Sequence, residues 1–504
     1  MNSTSVSDLK LALSQKFEVL CFEDLADYVG KHGSIFKLFQ SLYRVEFNPF
    51  QRLILYSSYE PTQELINHVQ RAASKVDISN FFILIITPFD LSVQLNNAVK
   101  KYGADIPMSS LQLNLVGSKA FGEPKFFYNY ETICVYPFTH VDVAGKQAKA
   151  CCKIDRVQGN LSDTTIDKIF QSESYQTLRQ NLVNGKKIPH CDTCWDTEKS
   201  GLTSLRQHGL HRYGSKFETS WFDDVDPKVI TLAPGNLCNF HCRICTATAS
   251  STIAVTELGH TSDKERQSTL KKLIAFNKTD YVKSLPDQIL SRINTIEELH
   301  INGGEPFMWP GLETLLDKII ECKRASQIQI DFNTNGSVYP DTIIKKLEKF
   351  KKVEILLSID DIGNRFEVQR GGAWQDVYKN IVKFTKLKSE KFSIKITPTV
   401  NIQNLLYLDE LVDFCNVHGL EIVWWYLEQP AQLGISSVTQ KVKDIVDKKY
   451  KNHPNQEIQH IRSKVLHSVP TSGKKFIDYM AKFDFWYKQS FQLSHKEIFD
   501  AMLD

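Results

Sequence analysis

The sequence predicts an α/β protein built on parallel strands that alternate with helices, and three observations carry the prediction. Between residues 226 and 430, short runs rich in β-branched and aromatic residues recur at regular intervals. Stretches with apolar residues at helical spacing fill the gaps between them. At 504 residues the chain is also long enough for two to four domains.

Taken in order, the expected strands are 229–232, 297–301, 328–332, 353–359, 392–397 and 420–427. Residues 342–350 and 405–418 read as amphipathic helices between them, and 264–276 suits a helix in the longest connection, 246–295. Such alternation implies right-handed crossovers, either in a curled partial barrel or in an open doubly wound sheet. Upstream, residues 1–125 begin with a helical-looking segment. They continue as strand 52–56, helix 62–76 and strand 81–87, a βαβ pattern. Residues 126–215 hold five cysteines and little periodicity, and 431–504 reads as a helical C-terminal extension whose charges at 441–451 form a solvated face.

Composition narrows the function classes. Hydrophobic residues make up 42% and charged residues 24%, as in ordinary globular proteins. A net charge of +3, from 61 basic and 58 acidic residues, is too balanced to point to a nucleic-acid partner. The most apolar run, 81–86, is far shorter than the roughly 20 residues of a spanning helix, which argues against a membrane partner. Residues 1–17 are polar and carry Asp8, Lys10 and Lys16 rather than the apolar run of a secretory signal, so a cytoplasmic protein is expected. Eleven cysteines in a reducing compartment point to metal or redox chemistry. Cys21, Cys322 and Cys415 stand alone and are expected to be small buried apolar residues.

The sharpest motif is Cys238, Cys242 and Cys245 in the run Cys-Asn-Phe-His-Cys-Arg-Ile-Cys, directly after the first strand of the alternating region. A four-iron cluster is usually held by four thiolates, so three on one loop leave one iron open. An open position is where a substrate coordinates at a catalytic metal. A three-cysteine zinc site completed by His241 is the alternative.

The C-x3-C-x2-C spacing resembles the radical S-adenosylmethionine superfamily, and further pieces follow in that family's order. Gly303, Gly304 and Glu305 sit in Asn-Gly-Gly-Glu-Pro after the second strand, like the family's G-G-E-P turn. The resemblance implies that this turn hydrogen-bonds the methionyl amino group. Asn335 lies in a Thr-Asn-Gly turn after the third strand. Ser358 and Asp360 end the fourth, where relatives contact the cofactor's ribose or carboxylate. Arg370, before two glycines, matches the arginine facing that carboxylate, and Asn401 follows the fifth strand, where relatives approach the adenosine. Each falls at or beyond the carboxyl end of a successive strand, where parallel α/β barrels gather catalytic groups. The resemblance therefore implies a partial (β/α)6 TIM-like barrel over 226–430 that binds a [4Fe-4S] cluster and S-adenosylmethionine.

A second resemblance lies upstream. Cys191 and Cys194 form a C-x2-C pair, preceded by Cys134, Gly145 and the adjacent Cys151 and Cys152. This segment, 126–215, resembles the twitch domain, a shortened SPASM domain. That resemblance implies a second, auxiliary [4Fe-4S] cluster on Cys134, Cys191, Cys194 and one of Cys151 and Cys152, with the Gly145 spacing favouring Cys151. Glu198, Gly201, Ser204 and Arg206 look like the segment that follows the pair in the family. Twitch domains usually follow the barrel; the order here resembles the subset with an N-terminal twitch domain. A structural zinc site on the same thiolates is the alternative.

Together these resemblances imply reductive cleavage of S-adenosylmethionine to a 5′-deoxyadenosyl radical that abstracts hydrogen from a substrate. They imply an electron donor such as flavodoxin or ferredoxin, and a peptide or protein substrate, with residues 1–125 offering sheet edges for strand addition. The other readings are a small metabolite, sugar or RNA substrate, or a non-catalytic zinc scaffold. No catalytic side chain is assigned. His300, on the second strand, is expected in the core or holding a backbone carbonyl, and His140 and His190 are not assigned roles. Trp424, Trp425 and Tyr426 are expected to line the barrel, with Glu428 as a substrate contact.

Overall fold

The computed structural model describes residues 132–199, 204–216, 225–427 and 429–503, together with the backbone of strands at Glu18–Phe22, Arg52–Tyr56 and Phe81–Ile85. It divides into two units, Met1–Phe138 with Thr177–Val225 and Thr139–Gln176 with Asp226–Asp504.

In the first unit, β1 (Glu18–Phe22), β2 (Arg52–Tyr56) and β3 (Phe81–Ile85) form a parallel sheet in that order. The parallel pairing of β2 and β3 is the one a βαβ pattern requires; β1 is a strand that the sequence reading did not expect. The helix expected at 62–76 and the helical segment before β1 lie outside the described residues.

The second unit is built on a nine-stranded sheet. Its core is β7 (Val229–Ala233), β8 (Glu298–Ile301), β9 (Gln329–Thr334), β10 (Lys352–Leu357), β11 (Phe392–Ile396) and β13 (Glu421–Ile422). All are parallel, and spatial order follows chain order throughout. Beyond β7 the sheet continues through β4 (His140–Ala144), parallel to it, then β5 (Gln147–Lys149) and β6 (Gly159–Asn160), both antiparallel. These strands of the cysteine-rich segment extend the large sheet because alternating His-Val-Asp-Val-Ala offers Val141 and Val143, both 0% exposed, to the same apolar layer as Ile230 and Leu232.

Alternation runs through every core strand. One face carries Leu299, Ile301, Ile330, Phe332, Ile355 and Ile396, all buried under helices. The helices read from sequence appear as Lys264–Phe276, Asp341–Leu347 and Leu408–Val417. The first begins where Asp263 accepts the backbone N–H groups of Glu265 and Arg266 at 2.9 and 3.1 Å, an N-cap. The opposite face is polar. In register across six strands lie Asp142, Thr231, His300, Asp331, Glu354 and Ser393.

The expected last strand, 420–427, divides in two. β13 joins the large sheet, whereas β14 (Trp425–Tyr426) pairs with β12 (Thr399–Val400) in a separate ribbon. Trp425 is 45% exposed, and Trp424 and Tyr426 pack against a core shared with the C-terminal helices. The Tyr426 hydroxyl donates to Glu457 in helix Gln456–His467. Trp424 and Tyr426 therefore serve the C-terminal extension. Glu428 lies outside the described residues.

That extension is helical, as expected, with helices Gln440–Tyr450, Gln456–His467, Lys474–Tyr487 and Lys496–Met502. Val442, Val446, Ile461, Val465 and Met480 meet Ile402, Leu405 and Leu408 in a dry cluster. The charged segment 441–451 is not wholly solvated: Lys443 is buried and donates to the Ser468 carbonyl at 2.6 Å. Of the lone cysteines, Cys415 is buried as expected but Cys322 is exposed; the Cys21 side chain lies outside the described residues.

Candidate metal centre

The loop that leaves β7 is fixed from both ends. Asn236 and Asn277 exchange hydrogen bonds at 2.6 and 3.1 Å, and Asn236 also donates to the Ala247 carbonyl at 2.7 Å. Helix Ser251–His260 then caps the loop. The Ser251 hydroxyl accepts from the Cys238 N–H and Thr252 donates to the Cys238 carbonyl, at 3.1 and 2.7 Å. Ser250, the N-cap, donates to the Phe240 carbonyl at 2.6 Å. Within this frame Cys238 and Cys242 are buried and Cys245 half-buried.

The three thiols influence one another's ionisation. Burial, with the neighbouring Cys242, pushes the Cys238 thiol up to about 11. Cys245 donates to Cys242, which holds the Cys242 thiol down and its own up. Arg370 favours the thiolate form of all three. Three soft donors, two of them buried, beside one guanidinium suit an electron-poor metal group, which stabilises thiolates that burial alone would keep protonated.

The turn after β8 lies against this loop. Asn302 donates to the Leu232 carbonyl, Gly304 to Gly235 and Glu305 to Leu237, at 2.9, 3.2 and 2.7 Å. Gly303 has φ +112°, a conformation open to glycine. Glu305, 2% exposed, accepts from the Thr334 hydroxyl at 2.7 Å and the Asn335 N–H at 2.8 Å. Burial still pushes its carboxyl up to about 7. The Asn335 amide faces Cys238 Sγ at 3.7 Å and donates to Asn239 at 3.1 Å. The second and third strand ends thus meet the cysteine loop directly.

Arg370 and the following glycines complete the enclosure. Arg370 donates to Asp360 at 2.5 Å, and its Nε is buried with no hydrogen-bond partner. Its carbonyl accepts from Cys242 Sγ at 3.5 Å. A Cβ on Gly371 would meet the His241 ring at 2.5 Å, and one on Gly372 the Phe240 ring at 2.0 Å. These glycines let the segment after Arg370 close on the cysteine loop.

The remaining expected contacts divide. Ser358 is half-buried, its N–H donating to the Thr334 carbonyl at 2.8 Å. Asp360 has both oxygens engaged, by Arg370 and by the Thr399 N–H at 2.7 Å, so it buttresses Arg370. The side chain of Asn401, 0% exposed, closes its own turn, donating to the Thr399 carbonyl and accepting from the Gln403 N–H at 2.8 and 2.9 Å. In the same loop both polar atoms of the buried Gln403 side chain lack a partner, a feature that the sequence reading missed. His241 stacks on Tyr487 with centroids 3.7 Å apart, and burial lowers its pKa to about 4, so the imidazole is neutral. His300 faces carboxylates: Nδ1 lies 2.8 Å from Asp331 and Nε2 3.6 Å from Glu298.

In the first unit, burial holds the Cys134 thiol well up and the Cys194 thiol up, and Cys191 and Cys194 lie near enough to Cys134 to disfavour its thiolate further. Arg206 ties them together. It grips Glu198 through two bonds at 2.9 and 2.7 Å, donates to the Ile133 carbonyl at 2.9 Å, and lies 5.0 Å from the Trp195 ring. Ser204 adds a bond of 2.5 Å to Glu198, while Gly201 lies outside the described residues. In the second unit, Cys151 is half-buried and Cys152 exposed, in the turn after β5.

Residues 232–415 match the Radical SAM superfamily. Residues 134–195 match the SPASM iron–sulfur cluster-binding domain. The first match covers the cysteine loop, the Asn302–Glu305 turn and Arg370. A radical SAM domain carries a [4Fe-4S] cluster and S-adenosylmethionine, and a SPASM domain carries auxiliary iron–sulfur chemistry. The radical SAM cyclopropyl synthase TigE of Paramaledivibacter caminithermalis is 23% identical over 255 residues, 49% of this chain and 51% of that protein. The chain thus spans about half the length of the curated relative it matches. Among solved structures, native anSMEcpe with bound AdoMet shares 14% identity over 44% of this chain and 59% of that one, at a TM-score of 0.32. Streptococcus suis SuiB bound to precursor peptide SuiA shares 14% identity over 60% and 65%, at a TM-score of 0.30. Among the described residues no helix is long and apolar enough to cross a membrane.

Proposed function

We propose that this chain is a radical SAM enzyme that uses Cys238, Cys242 and Cys245 to hold a catalytic cluster and modifies a peptide or protein. One observation carries the reading: two strand-end turns, with Glu305 and Asn335, and the end of helix Gly363–Arg370 converge on the cysteine loop. When bound there, the cluster supplies the electron that cleaves S-adenosylmethionine to methionine and a 5′-deoxyadenosyl radical. The residues fit such a cofactor. Glu305 is oriented by Thr334 and Asn335 to accept from an ammonium. Arg370 keeps a buried, unengaged Nε as a donor for a carboxylate, while Asp360 holds its far end.

A curled, partial barrel is part of this proposal. Strand order without the reversal of a doubly wound sheet supports it, as does a polar face opposite the helix-covered one. In the SPASM match, Cys134, Cys191 and Cys194 are the proposed auxiliary-cluster ligands. Cys151, half-buried where Cys152 is exposed, is the proposed fourth. The proposed arrangement is the one with a twitch domain ahead of the barrel, acting in electron transfer or substrate anchoring. A peptide substrate draws support from the SPASM match and from the described β1–β3 sheet, whose outer strands suit strand addition. A flavodoxin or ferredoxin is the proposed electron donor.

Anaerobic purification tests the core of this reading. The expected protein is brown, forms 5′-deoxyadenosine with dithionite, and loses about four irons in Cys238→Ala and again in Cys191→Ala. A colourless zinc protein that forms none would overturn it.

A further inference from the structure

The cysteine loop is held from behind by the end of the chain. Arg243, between Cys242 and Cys245, has a fully buried side chain. It donates to Val368 O at 2.8 Å, Met480 O at 3.1 Å, Asp484 Oδ1 at 2.5 Å and Gln489 Oε1 at 3.2 Å. Asp484, in helix Lys474–Tyr487, also accepts the Phe491 N–H at 2.9 Å, so its carboxylate is fixed independently. On the other side of Cys242, Tyr487 of the same helix stacks on His241. The loop thus meets one helix through an ion pair and a ring stack that flank a single ligand.

A buried guanidinium is costly to place and is retained where its position has a use. Here it lies one residue after Cys242 and two before Cys245, proposed ligands whose charge changes as a cluster is reduced, and charges and hydrogen bonds around such a loop set cluster potentials. We infer that the Arg243–Asp484 pair makes the C-terminal helix Lys474–Tyr487 a positioning clamp, which holds the cysteine loop in shape and balances the charge beside the catalytic cluster. This rests on the proposed assignment of Cys238, Cys242 and Cys245 as cluster ligands.

The test is a redox titration of the full-length, anaerobically reconstituted protein, followed by electron paramagnetic resonance, with the auxiliary cluster as internal reference. Asp484→Asn keeps the shape and the acceptor oxygen but leaves the Arg243 charge unbalanced. That favours the more negative, reduced cluster, so its midpoint potential should rise. Arg243→Gln removes the positive charge and should lower the potential, with partial loss of iron from that site only. Opposite shifts confined to the catalytic cluster support the clamp. Unchanged potentials in Asp484→Asn with full iron, or equal shifts in both clusters, overturn it. Should Arg243→Gln fail to fold, Asp484→Asn decides the question alone. Wild-type protein with no iron at the loop would instead sink the ligand assignment and the clamp with it.

Discussion

A methyl group placed on Gly304 would lie 2.2 Å from the carbonyl oxygen of Leu237, the residue before the first cysteine of the loop. The turn after β8 therefore rests on the backbone that presents Cys238, with nothing between them. Gly304→Ala must separate the two segments, and both Glu305 and Cys238 move with them. Equilibrium binding should show affinity for S-adenosylmethionine down by about tenfold or more, equivalent to roughly 1.4 kcal/mol. Unchanged affinity with full iron content would mean that the contact relaxes at no cost.

The Arg370–Asp360 pair makes a separate prediction. Both side chains are nearly buried, so removing one partner leaves the other uncompensated, a change typically worth about 3–5 kcal/mol. Asp360→Asn should loosen Arg370 and weaken cofactor binding while the cysteine loop still takes up iron. Arg370→Met should reduce both, because Arg370 also favours the thiolates. Calorimetric binding on reconstituted protein distinguishes the two variants.

At the SPASM match, Arg206 links Ile133, beside Cys134, to Glu198, one turn after Cys194. Arg206→Ala removes a buried bidentate pair and should destabilise the protein by about 3 kcal/mol. Iron should be lost from the auxiliary site and kept at Cys238, Cys242 and Cys245, which site-resolved Mössbauer or resonance spectra would separate.

Acidity offers a fourth prediction. Burial raises the Glu305 carboxyl from 4.5 to about 7 in the cofactor-free protein. A folded state that prefers the protonated acid loses stability as pH rises from about 4.5 and levels off above about 7, by up to about 3 kcal/mol. The melting temperature of cofactor-free protein should therefore fall between pH 5 and 8 through this group. Glu305→Gln should flatten that dependence; an unaltered slope would assign it elsewhere.

Much of the fold was legible because local pattern and tertiary role agree. Gln-Ile-Asp-Phe-Asn-Thr alternates, and β9 buries its apolar positions; Asp263 marks the start of Lys264–Phe276 and caps it. The cysteine loop was legible for a similar reason, since its three cysteines lie within eight residues. What escaped depends on distant partners. The partner of Arg243, Asp484, lies 241 positions later, so the residues around Arg243 carry no sign of it. Tyr426 sits in a run of strand-forming residues, yet β14 pairs with β12 outside the large sheet, and its ring packs toward the C-terminal helices. The acidic neighbours of His300 come partly from β9, so the sequence around the histidine does not reveal them.

The belt formed by Asp142, Thr231, His300, Asp331, Glu354 and Ser393 draws one side chain from each of six strands, while the residues that glue strands to helices occupy the reverse side. Polar and apolar side chains are thereby assigned to separate surfaces of the same scaffold. Single exchanges along the belt therefore change its charge and hydrogen bonding while leaving the hydrophobic seam untouched.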